Sequence, residues 1–196
     1  MALAPVTLSG RYVELVPLSQ EHRDALAEAV CDGDLWRLWY TPVATPEGME
    51  AEIDRRLGLQ ADGKVLAFTV LDEPGGRPIG MTNYLNIDMA TPRLEIGSTW
   101  YAARVQRTPL NTEAKFLLLA HAFDKLGCAA VEFRTHFMNH ASRRAIERLG
   151  AKFDGVLRNH LRMKDGTLRD TCVYSVLASE WPTVRSHLTW QLERPR

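Results

Sequence analysis

The segment Gln106-Arg107-Thr108-Pro109-Leu110-Asn111-Thr112 runs a polar loop straight into an apolar helix, and its residue types suit an anion. Thr108 followed by Pro109 reads as a helix start, a hydroxyl cap and then proline at the first helical position. Proline costs the helix nothing there, because that N–H has no helical partner. It does remove one donor from any anion site. The amides of Leu110, Asn111 and Thr112 are predicted to stay free at the positive end of the helix dipole. Gln106, Arg107 and Thr108 can add side-chain donors in front of them. On residue types alone, a phosphate-binding loop and a well-capped helix that binds nothing both fit.

Other polar groups sit in patterned surroundings. In "RLEIGSTWY" the strand period places Leu94, Ile96 and Ser98 on one face and Glu95, Gly97 and Thr99 on the other. Asn139 is placed to cap a short helix, with Ser142 in its first turn. Trp36, Trp39 and Tyr40 form an aromatic cluster that suits either core packing or a pocket wall. His121, His136, His140 and His160 have no ligand spacing and read as packing or surface residues, and no metal site is expected.

The elements that must hold these residues follow from periodicity and punctuation. "RYVELVPL" alternates as a first strand, and Ser19 caps the helix "QEHRDALAEAV". "DLWRLWY" is a short helical piece, and Thr45-Pro46 opens a helix running to "ADGK". Strands "KVLAFTVLD" and "RPIGMTNYLNI", joined by the turn "EPGG", precede "RLEIGSTWY". The loop and its helix lead to strand "CAAVEFRTH" and helix "HASRRAIERLG". The strands "AKFDGVLRNHLR" and "TLRDTCVYSVL" pair across "KDG" as a hairpin, and "SEWPTVRSHLTWQLE" closes as a helix. The order predicts an α/β fold with a mixed, mostly antiparallel sheet flanked by helices, in a single domain over 1–196.

Composition bounds the function classes. The chain has 196 residues, 45% hydrophobic and 24% charged, ordinary for a globular protein. No apolar run approaches a membrane span, and the N-terminus lacks a basic segment followed by a long apolar core. Cys31, Cys128 and Cys172 are widely spaced and odd in number, which fits a reduced, cytoplasmic setting. Net charge is zero, yet residues 1–98 carry about −7 and residues 99–196 about +7. Chance solvation and an anion site in the second half both explain that split. No basic run is interleaved with aromatics, so nucleic acid is not expected as a partner.

From "LSGRYVELVPL" to "RDTCVYSVLASEW" the chain resembles the Gcn5-related N-acetyltransferase superfamily, in its RimJ/RimL-like branch. The most specific piece is "NHASRRAIERLGA", similar to the branch's Asn-x-x-Ser-x-Arg-x-x-Glu-Lys-Leu-Gly-Phe. Asn139, Ser142, Arg144, Glu147, Leu149 and Gly150 match it, while Arg148 and Ala151 replace Lys and Phe. The superfamily's acetyl-CoA loop is Gln/Arg-x-x-Gly-x-Gly/Ala. Gln106 fits its first position, but Pro109 and Asn111 stand where small residues belong. The pattern Gln-Arg-Thr-x-x-Asn-Thr-Glu-Ala-Lys resembles that of a subgroup carrying this replacement.

The resemblance implies a GNAT-like acyl-CoA N-acyltransferase fold, with acetyl-CoA as cosubstrate and a primary amine as acceptor. It places the cofactor on Gln106, Arg107, Thr108, Leu110, Asn111, Thr112, Asn139 and Arg144. It implies Glu95 as a general base and Ser142 as the group facing the CoA sulfur, against the plainer roles of strand carboxylate and first-turn serine. Trp36, Trp39 and Tyr40 would line the acceptor pocket. The acceptor would be a protein N-terminus or a small amine, and a homodimer is compatible. A CoA-binding sensing or interaction module without transfer is the rival function.

Overall fold

The computed structural model describes residues 3–73 and 76–194; Pro74 and Gly75, the middle of the expected "EPGG" turn, lie outside the described residues. Strands β1 (Leu8–Ser9), β2 (Val13–Pro17), β3 (Val65–Asp72), β4 (Pro78–Asp88), β5 (Arg93–Tyr101), β6 (Ala130–His136), β7 (Lys152–Arg162) and β8 (Leu168–Leu177) build one sheet. Their spatial order is β1-β2-β3-β4-β5-β6-β8-β7. Every neighbouring pair is antiparallel except β5 with β6. That parallel pair needs a crossover, which helix α3 (Leu110–Ala120) supplies.

Helices cover both faces. On one face α1 (Arg23–Cys31) and α2 (Met49–Ala61) bury Leu26, Ala29, Val30, Met49 and Ile53 against Val65, Ala67, Met81 and Trp100. On the other, α3, α4 (His140–Arg148) and α5 (Trp181–Glu193) pack Leu118, Ile146, Trp181 and Leu188 onto Phe68, Tyr84, Ile96 and Tyr174. Buried between the two layers, β3 is apolar on both sides, which is why "VLAFTVL" reads as a continuous run rather than an alternation.

Local signals explain most boundaries. The Ser19 hydroxyl accepts the Glu21 N–H at 3.2 Å and starts one 3₁₀ turn that feeds α1. The Asn139 carboxamide oxygen accepts the Ser142 N–H at 3.0 Å and starts α4. Helix α2 begins later than its proline suggests. Thr45 Oγ1 accepts the Gly48 N–H at 3.2 Å, closing a turn over Pro46–Gly48, and the helix starts only at Met49. The residues after α3 widen into a π turn over His121–Lys125.

Candidate active site

Strands β5 and β6 pair at only three positions, Arg93 with Ala130, Leu94 with Val131 and Glu95 with Glu132, and then diverge. The cleft that opens beyond Glu95 leaves β5 backbone groups without a strand partner on that edge. Because the two strands are parallel, both C-terminal ends lie at the open side. From there the chain enters α3 on one strand and α4 on the other, so both helix N-termini converge on the cleft.

A β-bulge shapes its wall. Pairing steps from Met81–Trp100 to Asn83–Gly97, so one residue of β4 faces two of β5. Ser98 takes the left-handed conformation, φ +47°, at the bulge. Asn83 Nδ2 holds it by donating to Gly97 O at 3.2 Å and Ser98 O at 3.4 Å. The bulge corrects the simple alternation expected for this strand. Thr99 lies on the α3 face with Ile96, not with Glu95, and touches a lysine of α3. Lys115 Nζ donates to Thr99 Oγ1 at 2.7 Å and to Thr82 Oγ1 at 3.1 Å. Burial pulls this lysine down to about 7.

The loop before α3 is built on Thr108. Its hydroxyl donates to Val105 O at 2.7 Å and accepts the Leu110 N–H at 3.3 Å. Pro109 already has helical angles, φ −59° and ψ −23°, and its carbonyl accepts the Glu113 N–H. Thr108 therefore caps the helix as expected. The expectation of three free amides is corrected: Leu110's is engaged, while those of Asn111 and Thr112 have no acceptor among the described residues. Arg107 is exposed and left-handed, φ +62°. Gln106 Nε2 donates to Tyr101 O at 3.0 Å, which ties its side chain back to the end of β5. Arg148 of α4 donates to Thr112 Oγ1 at 3.3 Å, bracing the first turn of α3 against α4. Ser142 is half-buried in the first turn of α4, and Arg144 is exposed on it.

Glu95 lies on the opposite face of the sheet, 6% exposed, at the point of divergence. Its Oε2 accepts Asn86 Nδ2 at 2.7 Å and stands 3.6 Å from Arg134 Nε. Burial pushes the carboxyl up from the usual carboxylate range, against the opposing pull of Arg134, Asn86 and Arg169. A Cβ on Gly97 would stand 2.7 Å from Glu95 Oε1, so glycine at 97 is what lets the carboxylate fold over the strand. Farther along β6, His136 meets the Trp39 ring edge-on at 5.0 Å, with Tyr40 at 6.3 Å. Trp39 is 56% exposed. Trp36 does not join them: it packs against the α1 and α2 core with Arg37 over its ring.

The structure thus brings Asn111, Thr112, Asn139 and Ser142 to one side of the cleft and Glu95 to the other. Sequence reading missed Lys115, Asn83, Asn86 and Arg134. The run "MTNYLNI" held a signal, since Thr82 and Asn83 are polar residues in the buried stretch of the strand; Asn86, at its exposed end, gave none.

A converging pair of helix N-termini over splayed parallel strands has counterparts among known proteins. The acetyltransferase (GNAT) domain profile matches residues 13–152. The chain belongs to the GNAT family. Its members are acyl-CoA-dependent acetyltransferases, and the fold here matches theirs throughout. A GCN5-related N-acetyltransferase from Brucella melitensis superposes with a TM-score of 0.85 at 36% identity, covering 97% of this chain and 87% of that one. Mycobacterium smegmatis RimJ in complex with CoA-disulfide has the same GNAT fold, with a TM-score of 0.78 at 20% identity over 96% and 93% of the two chains. In sequence, the Bacillus subtilis (strain 168) protein named "Putative ribosomal N-acetyltransferase YdaF" is 31% identical over 106 residues. That match takes in 54% of this GNAT chain and 57% of the relative's length.

Proposed function

We propose that the protein transfers the acetyl group of acetyl-CoA to a primary amine, by direct attack in a ternary complex held in the β5–β6 cleft. The observation that carries this reading is the placement of Glu95, a buried carboxylate of raised pKa, across the cleft from the unpaired amides of Asn111 and Thr112.

Each residue supplies one part. The amides of Asn111 and Thr112, at the positive end of α3, suit the pyrophosphate, with Arg107 adding charge in front of them. Gln106, Thr108 and Leu110 shape the loop that holds those donors rather than pointing further donors outward. Asn139 and Arg144 on α4 suit the pantetheine arm. Glu95 accepts the proton that the amine loses, directly or through water. The amine nitrogen forms its bond to the thioester carbon, the C–S bond breaks, and the sulfur leaves with its electron pair beside the Ser142 hydroxyl. The proton released by the amine finally balances the thiolate, giving an amide and free CoA thiol. Trp39 and Tyr40 against His136 suit the acceptor wall. The ribosomal acceptor in the relative's name makes a protein N-terminus one acceptor to test beside small amines.

Thermal melts with CoA and a thiol-release assay over a panel of amines test the reading together. CoA should stabilise the fold by about 2.7 kcal/mol at a hundredfold excess over its dissociation constant. A melting point indifferent to saturating CoA would remove the cofactor assignment. Stabilisation by CoA without thiol release on any amine or N-terminal peptide would instead favour a binding module.

A further inference from the structure

Beneath α2, on the Glu95 face of the sheet, a cavity of ≈ 70 Å³ is lined by Arg55 and Arg56 with Leu59, Val65, Asn83, Leu85 and Ser98. Two of its lining groups are buried polar atoms without a partner among the described residues, Arg56 Nη1 and Asn83 Oδ1. Arg56 is only 6% exposed and its Nε donates to Glu52 Oε1 at 2.7 Å, so the guanidinium is anchored at one end and unpartnered at the other. The orientation of Asn83 follows from its neighbours: two carbonyls, Gly97 O and Ser98 O, fix Nδ2 on the bulge and leave Oδ1, on a residue that lines the cavity, without a partner. In the register Asn83 faces Gly97 and Leu85 faces Glu95, so Leu85 at the cavity's edge lies one strand spacing, ~5 Å, from the backbone of Glu95.

Resting on the acetyl-transfer reading, we propose that this cavity recognises the acceptor, and that Arg56 and Asn83 read a neutral amide group a few bonds from the reacting amine. The amide oxygen accepts from Arg56 Nη1, and the amide N–H donates to Asn83 Oδ1. Leaving two such atoms unpaired in a buried site is costly, and a bare alkyl chain would leave both so. A carboxylate suits the charge of Arg55 and Arg56, but Glu52 already engages both, and the added negative charge would face the Asn83 Oδ1 lone pairs. A hydroxyl could serve both with one oxygen, but the two atoms come from opposite walls, one from α2 and one from β4. The cavity also has several times the volume one water needs, so a group that separates its donor from its acceptor fits better.

The experiment compares kcat/KM for β-alaninamide, butylamine, β-alanine, 3-aminopropanol and a dipeptide, the first and last separating a primary carboxamide from a peptide bond as the source of the amide. An amide-bearing acceptor should exceed butylamine, β-alanine and the amino alcohol by about tenfold or more. Arg56→Lys keeps the charge and the reach to Glu52 but removes Nη1, and should bring the amide-to-alkyl ratio to within about threefold of unity through KM. The CoA-induced melting shift establishes that the variant is folded with its donor site formed. Equal efficiency on all five acceptors, a preference for the carboxylate or the alcohol, or an unchanged ratio in Arg56→Lys would overturn the subsite while leaving acetyl transfer standing. Absence of both transfer and a CoA shift in the wild type would overturn both.

Discussion

Lys115 Nζ stands 2.7 Å from Thr99 Oγ1, deep under α3, with no carboxylate paired to it among the described residues. The bulge at Ser98 is what turns Thr99 toward it. Burial without a counter-charge pulls the lysine from 10.5 down to about 7. Between those two values the unfolded chain holds a proton at Lys115 that the folded chain has released, so this group makes stability rise with pH from about 7 to about 10.5. Lys115→Met should therefore be the more stable protein at pH 6, on the order of 1–3 kcal/mol, since Thr82 and Thr99 still bond each other at 2.8 Å. Urea denaturation at pH 6 and pH 9 should show that advantage shrinking with pH. The same advantage at both values would mean that the native lysine stays charged.

Glu95→Gln should lower turnover on a working amine by about 10²–10⁴-fold and leave the CoA-induced melting shift intact. The wild-type kcat/KM profile should carry an acidic limb whose inflection lies above the ordinary carboxylate value, in line with the upward shift that burial imposes. The variant should lack that limb. Loss of CoA binding with turnover preserved would make Glu95 structural.

Glu113, one residue past the free amides, faces away from the cleft. Its carboxylate accepts the N–H groups of Arg11, Tyr12 and Val13, tying α3 to the start of β2. Glu113→Ala should cost about 2–4 kcal/mol by orphaning buried donors, with little effect on the dissociation constant for CoA. A Cβ at Gly10 would stand 2.5 Å from the Glu113 carboxyl carbon, so Gly10→Ala should destabilise through the same contact. The double variant should then cost less than the two singles added, which a thermodynamic cycle measures.

Thr108→Ala removes one hydroxyl that serves both Val105 O and the Leu110 N–H. It should lower stability by about 1 kcal/mol and weaken CoA binding. Pro109→Gly, although it restores a small residue to the loop, should lower stability by ~0.4–1 kcal/mol and change CoA affinity by less than about tenfold. A CoA titration on both variants decides between them: strong tightening with glycine and no effect of alanine would defeat this account of the loop.

Much of this protein is written locally. Ser19, Thr108 and Asn139 are short polar side chains that satisfy N–H groups two or three residues away, so the starts of α1, α3 and α4 could be read without knowing what they pack against. The alternation of β2, the apolar run of β3 and the hairpin across "KDG" are equally local, and the motif after β6 carried the family resemblance.

What the sequence by itself determined is the order of the elements, the caps that start them and the identity of the loop before α3. Only the tertiary structure decided which side chains meet. The bulge at Ser98 depends on the Asn83 amide reaching across from β4, and it reverses the face of Thr99; strand alternation assumes that no such residue is inserted. Glu95 becomes a buried group of raised pKa because the sheet and its neighbours take it out of water, and β6 brings Arg134 beside it to oppose that shift only in part, a contact between residues 39 positions apart in the chain. Arg56 and Asn83 line one cavity because α2 packs on β3, the strand beside β4. Burial and partner choice at these positions are set by segments distant in sequence, and no local period encodes them.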